Sequence, residues 1–144
     1  MLWWSLVLAC EGTLCEGRAP SDATEVELQL YALGYGEYED NTSWAQQRRV
    51  VEDSGTWDEL VAAIGVEPTD GVDFTSQAAF VNPWVDGGCS EPFDYEGWAQ
   101  DPQLRVRAVP GEDGGCEAYF PMLDVLVAPR DDTTDLAWCE DDAG

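Results

Sequence analysis

The spacing of apolar residues between positions 56 and 65 predicts a helix. Four apolar side chains recur at intervals of three and four residues, which places them on one face of a helix. They are Trp57, Leu60, Val61 and Ile64. Thr56 and Glu59 form the capping-box pattern of a helix start, and Gly65 is typical of a helix end. We therefore expect a helix over 56–65 whose apolar face packs on a sheet.

Elsewhere the apolar positions either alternate or form short runs, and both patterns are typical of β-strands. The predicted strands cover residues 25–33, 47–52, 77–84, 103–109, 116–120 and 123–128. In the first strand the apolar face is expected to hold Val26, Leu28, Leu30 and Ala32. The Gly-rich turn at 110–115 predicts that 103–109 and 116–120 pair as a hairpin. Segment 86–102, rich in Gly and Pro, is expected to be the least regular part.

These elements predict an α+β fold for a single small domain over residues 24–144. We expect a mainly antiparallel sheet with one packed helix, 56–65. The length of 144 residues and the apolar content of 44% are sufficient for one domain with a hydrophobic core.

The charge of the chain limits its partners. Thirty Asp and Glu against six Arg, with no Lys and no His, give a formal net charge of −24. Such a charge repels nucleic acid, so no nucleic-acid partner is expected. The simplest interpretation of the acidity is a solvated surface. The absence of His removes the commonest general base and metal ligand, and we predict no metal site and no cofactor.

Two of the six arginines, Arg105 and Arg107, alternate with apolar residues on one predicted strand. Side chains on the same face of neighbouring strands lie opposite one another, so we expect both arginines to pair with carboxylates there. The alternative interpretation is a basic recognition spot for an anionic partner.

The N-terminal residues have the character of an export signal. Residues 1–9 are almost wholly apolar and too few to span a bilayer, so we interpret them as a signal peptide. Leu6-Val7-Leu8-Ala9-Cys10 resembles a bacterial lipobox. That resemblance implies cleavage before Cys10, lipidation of its thiol, and a tether over 10–23 that holds the domain at a membrane. The alternative is a buried N-terminal strand or helix.

The number of cysteines fits this interpretation. Lipidation of Cys10 would leave four of the five cysteines, which is enough for two disulfides in any of three pairings. We expect Cys89 to pair with Cys116, because both follow a Gly-Gly pair between predicted strands, and Cys15 to pair with Cys139. A zinc site is the competing interpretation, but the chain has no Cys-x-x-Cys or Cys-x-x-His pair. Disulfides would indicate an exported protein.

Three short motifs resemble the C-terminal domain of the PrcB family, which are protease-complex accessory lipoproteins. They are Thr56-Trp57-Asp58-Glu59-Leu60, then Val72-Asp73-Phe74 before an apolar strand, then Val125-Leu126-Val127-Ala128-Pro129-Arg130 after Pro121. The resemblance covers about residues 50–130. It implies a non-catalytic envelope module and transfers no catalytic residue.

Together these features favour an exported, lipid-anchored domain of the cell envelope with a binding or accessory role, and not an enzyme. The expected partners are another envelope protein and, through the lipid anchor, the membrane. The candidate binding surface is in the segment 86–102, because loops held on a rigid scaffold concentrate binding residues. It consists of Phe93, Tyr95 and Trp98.

Two other functions stay open at this point. A calcium-stabilised surface domain is suggested by the oxygen-rich segments 131–135 and 140–142. A hydrolase using two carboxyl groups would need a cleft that holds them at a fixed spacing.

Overall fold

The computed structural model of the chain describes residue 15, residues 23–34, residue 36 and residues 41–139. Within them the chain forms one α-helix, α1 (Ser54–Ile64), a short 3-10 helix (Ser43–Ala45) and eight strands. The strands are β1 (Thr24–Val26), β2 (Gln29–Leu33), β3 (Arg49–Val51), β4 (Gln77–Asp86), β5 (Asp94–Gln100), β6 (Gln103–Val109), β7 (Phe120–Pro129) and β8 (Asp135–Trp138). No helix of this described part is long and apolar enough to span a membrane.

Several predictions fall outside those residues. The signal peptide over 1–9, the lipidation site Cys10 and most of the tether over 10–23 are among them. They stay predictions.

The strands of the described part form two four-stranded sheets, whereas the sequence led us to expect one. Sheet A has the order β1-β5-β6-β8, and sheet B has the order β2-β7-β4-β3. Neighbouring strands are antiparallel, except that β6 and β8 are parallel. The chain is therefore a small, mainly β domain to which the label α+β applies loosely.

The predicted strand over 25–33 is divided between the two sheets. Its first part is β1, which pairs with β5 in sheet A, and its second part is β2, which pairs with β7 in sheet B. The crossing shifts the alternation by one residue, so that Leu33 is buried while Leu30 is 49% exposed. The expectation that Leu30 and Ala32 share the buried face with Val26 is therefore wrong.

The central strands of sheet B, β4 and β7, are buried on both faces. One face packs on α1 in a core that includes Leu60, Val81 and Val125. The other face packs on sheet A in a second core that includes Phe80 and Leu126. Three layers result, with α1, sheet B and sheet A in that order. Burial on both faces explains why these strands have continuous apolar runs in the sequence.

The helix has the predicted buried face but a different start. Trp57, Leu60 and Ile64 are buried, as the spacing predicted. The N-cap is Asp53, whose Oδ1 accepts a hydrogen bond from the Thr56 N–H at 2.7 Å. The predicted capping by Thr56 is wrong, because the extended backbone of Asp53 already begins the helix one turn earlier.

The predicted helix end is confirmed. Gly65 adopts a left-handed φ of +80°, and its N–H donates to the Val61 carbonyl at 2.8 Å.

The segment expected to be irregular, 86–102, contains strand β5. The antiparallel partner of β6 is β5, and the predicted hairpin between 103–109 and 116–120 is wrong. Gly97 hides the alternation of β5, since it stands at an inward position where Leu28 fills the space. A Cβ there would lie 3.1 Å from a Leu28 methyl carbon. Two further differences are that β7 extends from 120 to 129 and that β8 was not predicted.

Candidate functional site

Two disulfides join described cysteines, in the two pairs expected from the sequence. The Cα atoms of Cys15 and Cys139 are 5.1 Å apart, and those of Cys89 and Cys116 are 5.7 Å apart. The second bond lies just beyond the paired ends of β4 and β7, where the Ala118 N–H donates to the Gly87 carbonyl at 3.0 Å. Disulfides are typical of an oxidising, extracytoplasmic compartment.

The predicted binding surface of Phe93, Tyr95 and Trp98 does not form one surface. The Phe93 ring lies between Trp84 and Tyr95, with centroids 5.4 and 6.2 Å away, in the space between the sheets. Trp98 lies three positions beyond Tyr95 on β5 and so points to the outer face of sheet A. The prediction assumed a loop, whereas a strand sends these side chains to opposite faces.

Between the sheets lies a chain of hydrogen bonds that we call the Asp124 network. It consists of Arg48, Asn82, Trp84, Tyr95 and Asp124. The Arg48 Nε–H donates to Asn82 Oδ1 at 3.0 Å, and the Asn82 amide donates to the Tyr95 oxygen at 2.8 Å. The Tyr95 hydroxyl and the Trp84 indole N–H both donate to Asp124 Oδ2, at 2.5 and 3.0 Å. Three of these donors thus lead from the Arg48 guanidinium to the Asp124 carboxylate, and the Trp84 indole is a separate donor to the same carboxylate oxygen.

Burial controls the ionisation of this network. Asn82 and Asp124 are 1% and 3% exposed. Burial raises the pKa of the Asp124 carboxyl above its ordinary value, against the opposing effect of the hydrogen bonds from Tyr95 and Trp84. Burial also raises the pKa of the Tyr95 hydroxyl, so that this group stays protonated and remains a donor. Asp124 therefore takes up a proton at a higher pH than an exposed aspartate does.

A groove of about 430 Å³ lies next to this network, and we call it the edge groove. It is lined by residues 47–50 and 136–139, which belong to or adjoin β3 and β8. β3 is an edge strand of sheet B and β8 is an edge strand of sheet A, and the two strands lie next to each other. The Trp138 indole N–H donates to the Arg49 carbonyl at 2.9 Å, which connects the two edges.

Arg48 belongs both to the Asp124 network and to the lining of the edge groove. Its guanidinium carbon lies 5.5 Å from the centroid of the Trp138 ring, within the range of a cation–π contact. The neighbouring Arg49 is held in place separately, with its guanidinium 4.4 Å from the Trp44 ring and a hydrogen bond of 2.9 Å to the Ser43 carbonyl.

The other described arginines have structural contacts. Arg105 forms an ion pair with Asp135 at 3.0 Å, and Arg107 approaches Glu96 at 3.9 Å, which confirms their predicted pairing with neighbouring strands. Arg130 donates to three backbone carbonyls, those of Glu52, Phe74 and Gln77. These contacts tie the end of β7 to the segments that flank α1.

Sequence reasoning missed the edge groove and the Asp124 network, although part of the signal was visible. Asp124 interrupts the apolar run 123–128, and Asn82 interrupts the apolar run of β4. A polar residue inside a buried strand needs a hydrogen-bond partner, so both positions predict a buried polar cluster. The partners themselves, Tyr95 and Arg48, come from parts of the chain that no local pattern connects to them.

The oxygen-rich segment 131–135 forms a turn that leads into β8. Asp131 Oδ1 accepts hydrogen bonds from the Thr133 N–H at 2.9 Å, the Thr133 hydroxyl at 2.8 Å and the Thr134 hydroxyl at 3.1 Å. These bonds lower the pKa of Asp131. Among the described residues no group of three or more His, Cys, Asp or Glu side chains is placed to hold a metal ion. Segment 140–142 lies outside those residues.

Comparison of the chain with models of protein families, with curated proteins and with solved structures gives no match. The resemblance to the PrcB family stays a prediction from the short motifs alone.

Proposed function

We propose that this chain is an exported, non-catalytic binding domain of the bacterial cell envelope, and that another envelope protein contacts it at the edge groove. The single observation that carries the proposal is the groove itself. It combines two sheet edges, a guanidinium held by Asn82, and the Trp138 ring. Arg and Trp are enriched among the residues that dominate protein interfaces.

The edges of the two sheets supply a second kind of recognition. An edge strand offers backbone N–H and C=O groups to an extended segment of a partner. Both β3 and β8 are short, at three and four residues, and short edge strands protect a protein from self-association.

The interior carboxylate supports a structural role for the polar groups between the sheets. Asp124 is engaged by Tyr95 and Trp84 of its own domain, an arrangement that fixes the packing of sheet A on sheet B. The two disulfides support an extracytoplasmic location. The resemblance of residues 6–10 to a lipobox supports lipid anchoring at Cys10, and the PrcB-like motifs favour association with a protease complex.

A matched pair of substitutions tests the role of the edge groove. Ala137 lines the groove, whereas Ala62 is exposed on the outer face of α1. A partner is first identified by photo-crosslinking from Gln47 in the groove and then purified. We expect Ala137→Glu to weaken binding of the purified partner at least tenfold and Ala62→Glu to leave it within twofold, with equal melting temperatures confirming that both variants fold. Equal binding by the two variants would contradict the proposal.

The anchor is tested separately. The full-length protein should partition into detergent, and Cys10→Ser should release it into the soluble fraction, because a diacylglyceryl cysteine carries at least two acyl chains and these suffice for stable attachment. Equal partitioning of the two forms would contradict lipidation.

A further inference from the structure

We propose that the Asp124 network couples proton uptake in the interior to the geometry of the edge groove, so that acid changes the surface that the groove presents. The use of the groove for binding depends on the function proposed above, whereas the coupling does not. The geometry that supports it is continuous. Arg48 lines the groove, and three hydrogen bonds lead from it through Asn82 and Tyr95 to Asp124.

The direction of the donors makes the Asp124 network sensitive to the charge of the Asp124 carboxyl group. With Asp124 ionised, the Tyr95 hydrogen points to the carboxylate, and the Tyr95 oxygen is left to accept from the Asn82 amide. The Asn82 carbonyl oxygen can then accept from Arg48. Each donor in the Asp124 network is therefore oriented by the group that accepts its hydrogen bond. The series begins at the Asp124 carboxylate.

The hydrogen bonds of the Asp124 network cannot all reverse direction when Asp124 is protonated. Reversal would require Arg48 to accept a hydrogen bond, and a guanidinium has only donors. If the proton sits on Oδ2, the carboxyl O–H and the Tyr95 O–H compete as donors across the same contact. If it sits on Oδ1, the bond from Tyr95 persists but loses the charge that makes such bonds roughly twice as strong. In either case Tyr95, and through it Asn82 and Arg48, is held less firmly.

The residues around Asp124 determine which other titratable groups could influence its protonation. On the neighbouring strands its paired residues are Ala32 on β2 and Asn82 on β4, neither of which titrates. Among the described residues, Tyr95 on β5 is the titratable group in hydrogen-bond contact with Asp124, and Arg48 is the charged group at the other end of the Asp124 network. Because burial raises the pKa of Asp124, its titration should lie above the ordinary carboxyl range.

Two tryptophans report on the two ends of the network. The Trp84 indole N–H donates directly to Asp124, whereas the Trp138 ring contacts Arg48 at the groove and also lies 6.1 Å from the Tyr95 ring. We would record the indole ¹H–¹⁵N resonances of the full chain from pH 8 to pH 4.5, which stays above the sequence pI of about 4.1. The variants Trp84→Phe and Trp138→Phe assign the two resonances.

The expected result is a common midpoint for Trp84 and Trp138, above the ordinary carboxyl range. Asp124→Asn should abolish both transitions. Tyr95→Phe should leave the Trp84 transition in place and reduce the Trp138 shift by at least half. The matched control is Asp135→Asn, at an exposed acid on the same strand as Trp138, which should leave the common midpoint unchanged.

Different midpoints for the two tryptophans in the wild-type protein would overturn the proposal without any variant, so it remains testable even if Asp124→Asn fails to fold. Loss of the Trp138 transition in Asp135→Asn would also overturn it, by assigning that transition to a local acid. The partner plays no part in this titration. A failed coupling is thus distinguishable from a failed binding function, which the Ala137→Glu comparison measures.

Discussion

The two faces of sheet B are built by the same two strands but hold different kinds of core. The residues of β4 and β7 that face α1, such as Val81 and Val125, are apolar and pack on Trp57 and Leu60. The residues that face sheet A alternate with them and include both apolar and polar side chains. Among them are Phe80, Asn82, Trp84, Asp124 and Leu126.

The helix face contributes to stability at any pH near neutral, whereas the contribution of the sheet A face changes with pH. Burial of apolar side chains on the helix face is insensitive to pH between 5 and 8, because none of those side chains titrates there. On the sheet A face a carboxyl group is held at low exposure by hydrogen bonds from Tyr95 and Trp84. The stability of that face therefore depends on pH, and its outermost member, Arg48, is at the surface of the edge groove.

The largest expected effect comes from the helix face. Leu60 is fully buried, so Leu60→Ala should lower the free energy of unfolding by roughly 2–5 kcal/mol through lost burial and the cavity that remains. Ala62 is exposed on the same helix, and Ala62→Ser should change it by under about 1 kcal/mol. Urea midpoints measure both. The Leu60→Ala loss should be equal at pH 7 and pH 5, and a marked difference between the two would mean that the two faces are not independent.

A smaller effect is expected on the sheet A face. Tyr95→Phe removes a hydroxyl that serves both Asn82 and Asp124, so at pH 7 it should cost about 1–3 kcal/mol, the range for leaving buried polar groups unsatisfied. The cost should become smaller as the pH falls and Asp124 takes up its proton, because the bond to a protonated carboxyl is weaker than the bond to a carboxylate.

Tyr31 provides the matched control for that substitution. It packs against the helix-face core, and its hydroxyl makes no hydrogen bond to another described residue. Tyr31→Phe should therefore change the free energy of unfolding by under about 0.5 kcal/mol at both pH values. If the two Tyr→Phe variants behave alike, the Asp124 network contributes nothing specific to stability.

The same two faces also differ in how far the sequence predicts them. The helix face depends on apolar residues three and four apart and on Gly65, all of which are local signals, and the structure bears them out. The sheet A face depends on β5 and on the crossing between β1 and β2. Those elements are set by pairing with distant strands, which an alternating run such as 25–33 cannot reveal. The predicted binding surface failed for this reason, since Trp98 and Tyr95 were separated by a strand that had been taken for a loop.

The smallest expected effect tests the electrostatics most directly. The contributions of Asp124 and Asp131 to stability should depend on pH with opposite signs. Burial raises the pKa of Asp124 in the folded state, so the folded protein binds its proton more tightly than the unfolded chain does. The contribution of this group to stability is then fully present below its unfolded pKa and is lost as the pH rises through its folded pKa. The hydrogen bonds from Thr133 lower the pKa of Asp131, so its contribution is present above its unfolded pKa and is lost as the pH falls through its folded pKa.

Replacing an aspartate by asparagine removes its titration. The difference in stability between the wild type and each variant therefore gives the pH dependence that this aspartate contributes. As the pH is lowered from 7 towards 4.5, the wild type should gain stability relative to Asp124→Asn. Over the lower part of the same range it should begin to lose stability relative to Asp131→Asn, and by less, because Asp131 is exposed and solvent screens its interactions. Urea midpoints at several pH values give both differences. If the two differences in stability change with pH in the same direction, burial does not dominate the pKa of Asp124. The sheet A face would then hold its carboxylate as a fixed charge, and the contrast with the helix face would be one of composition alone.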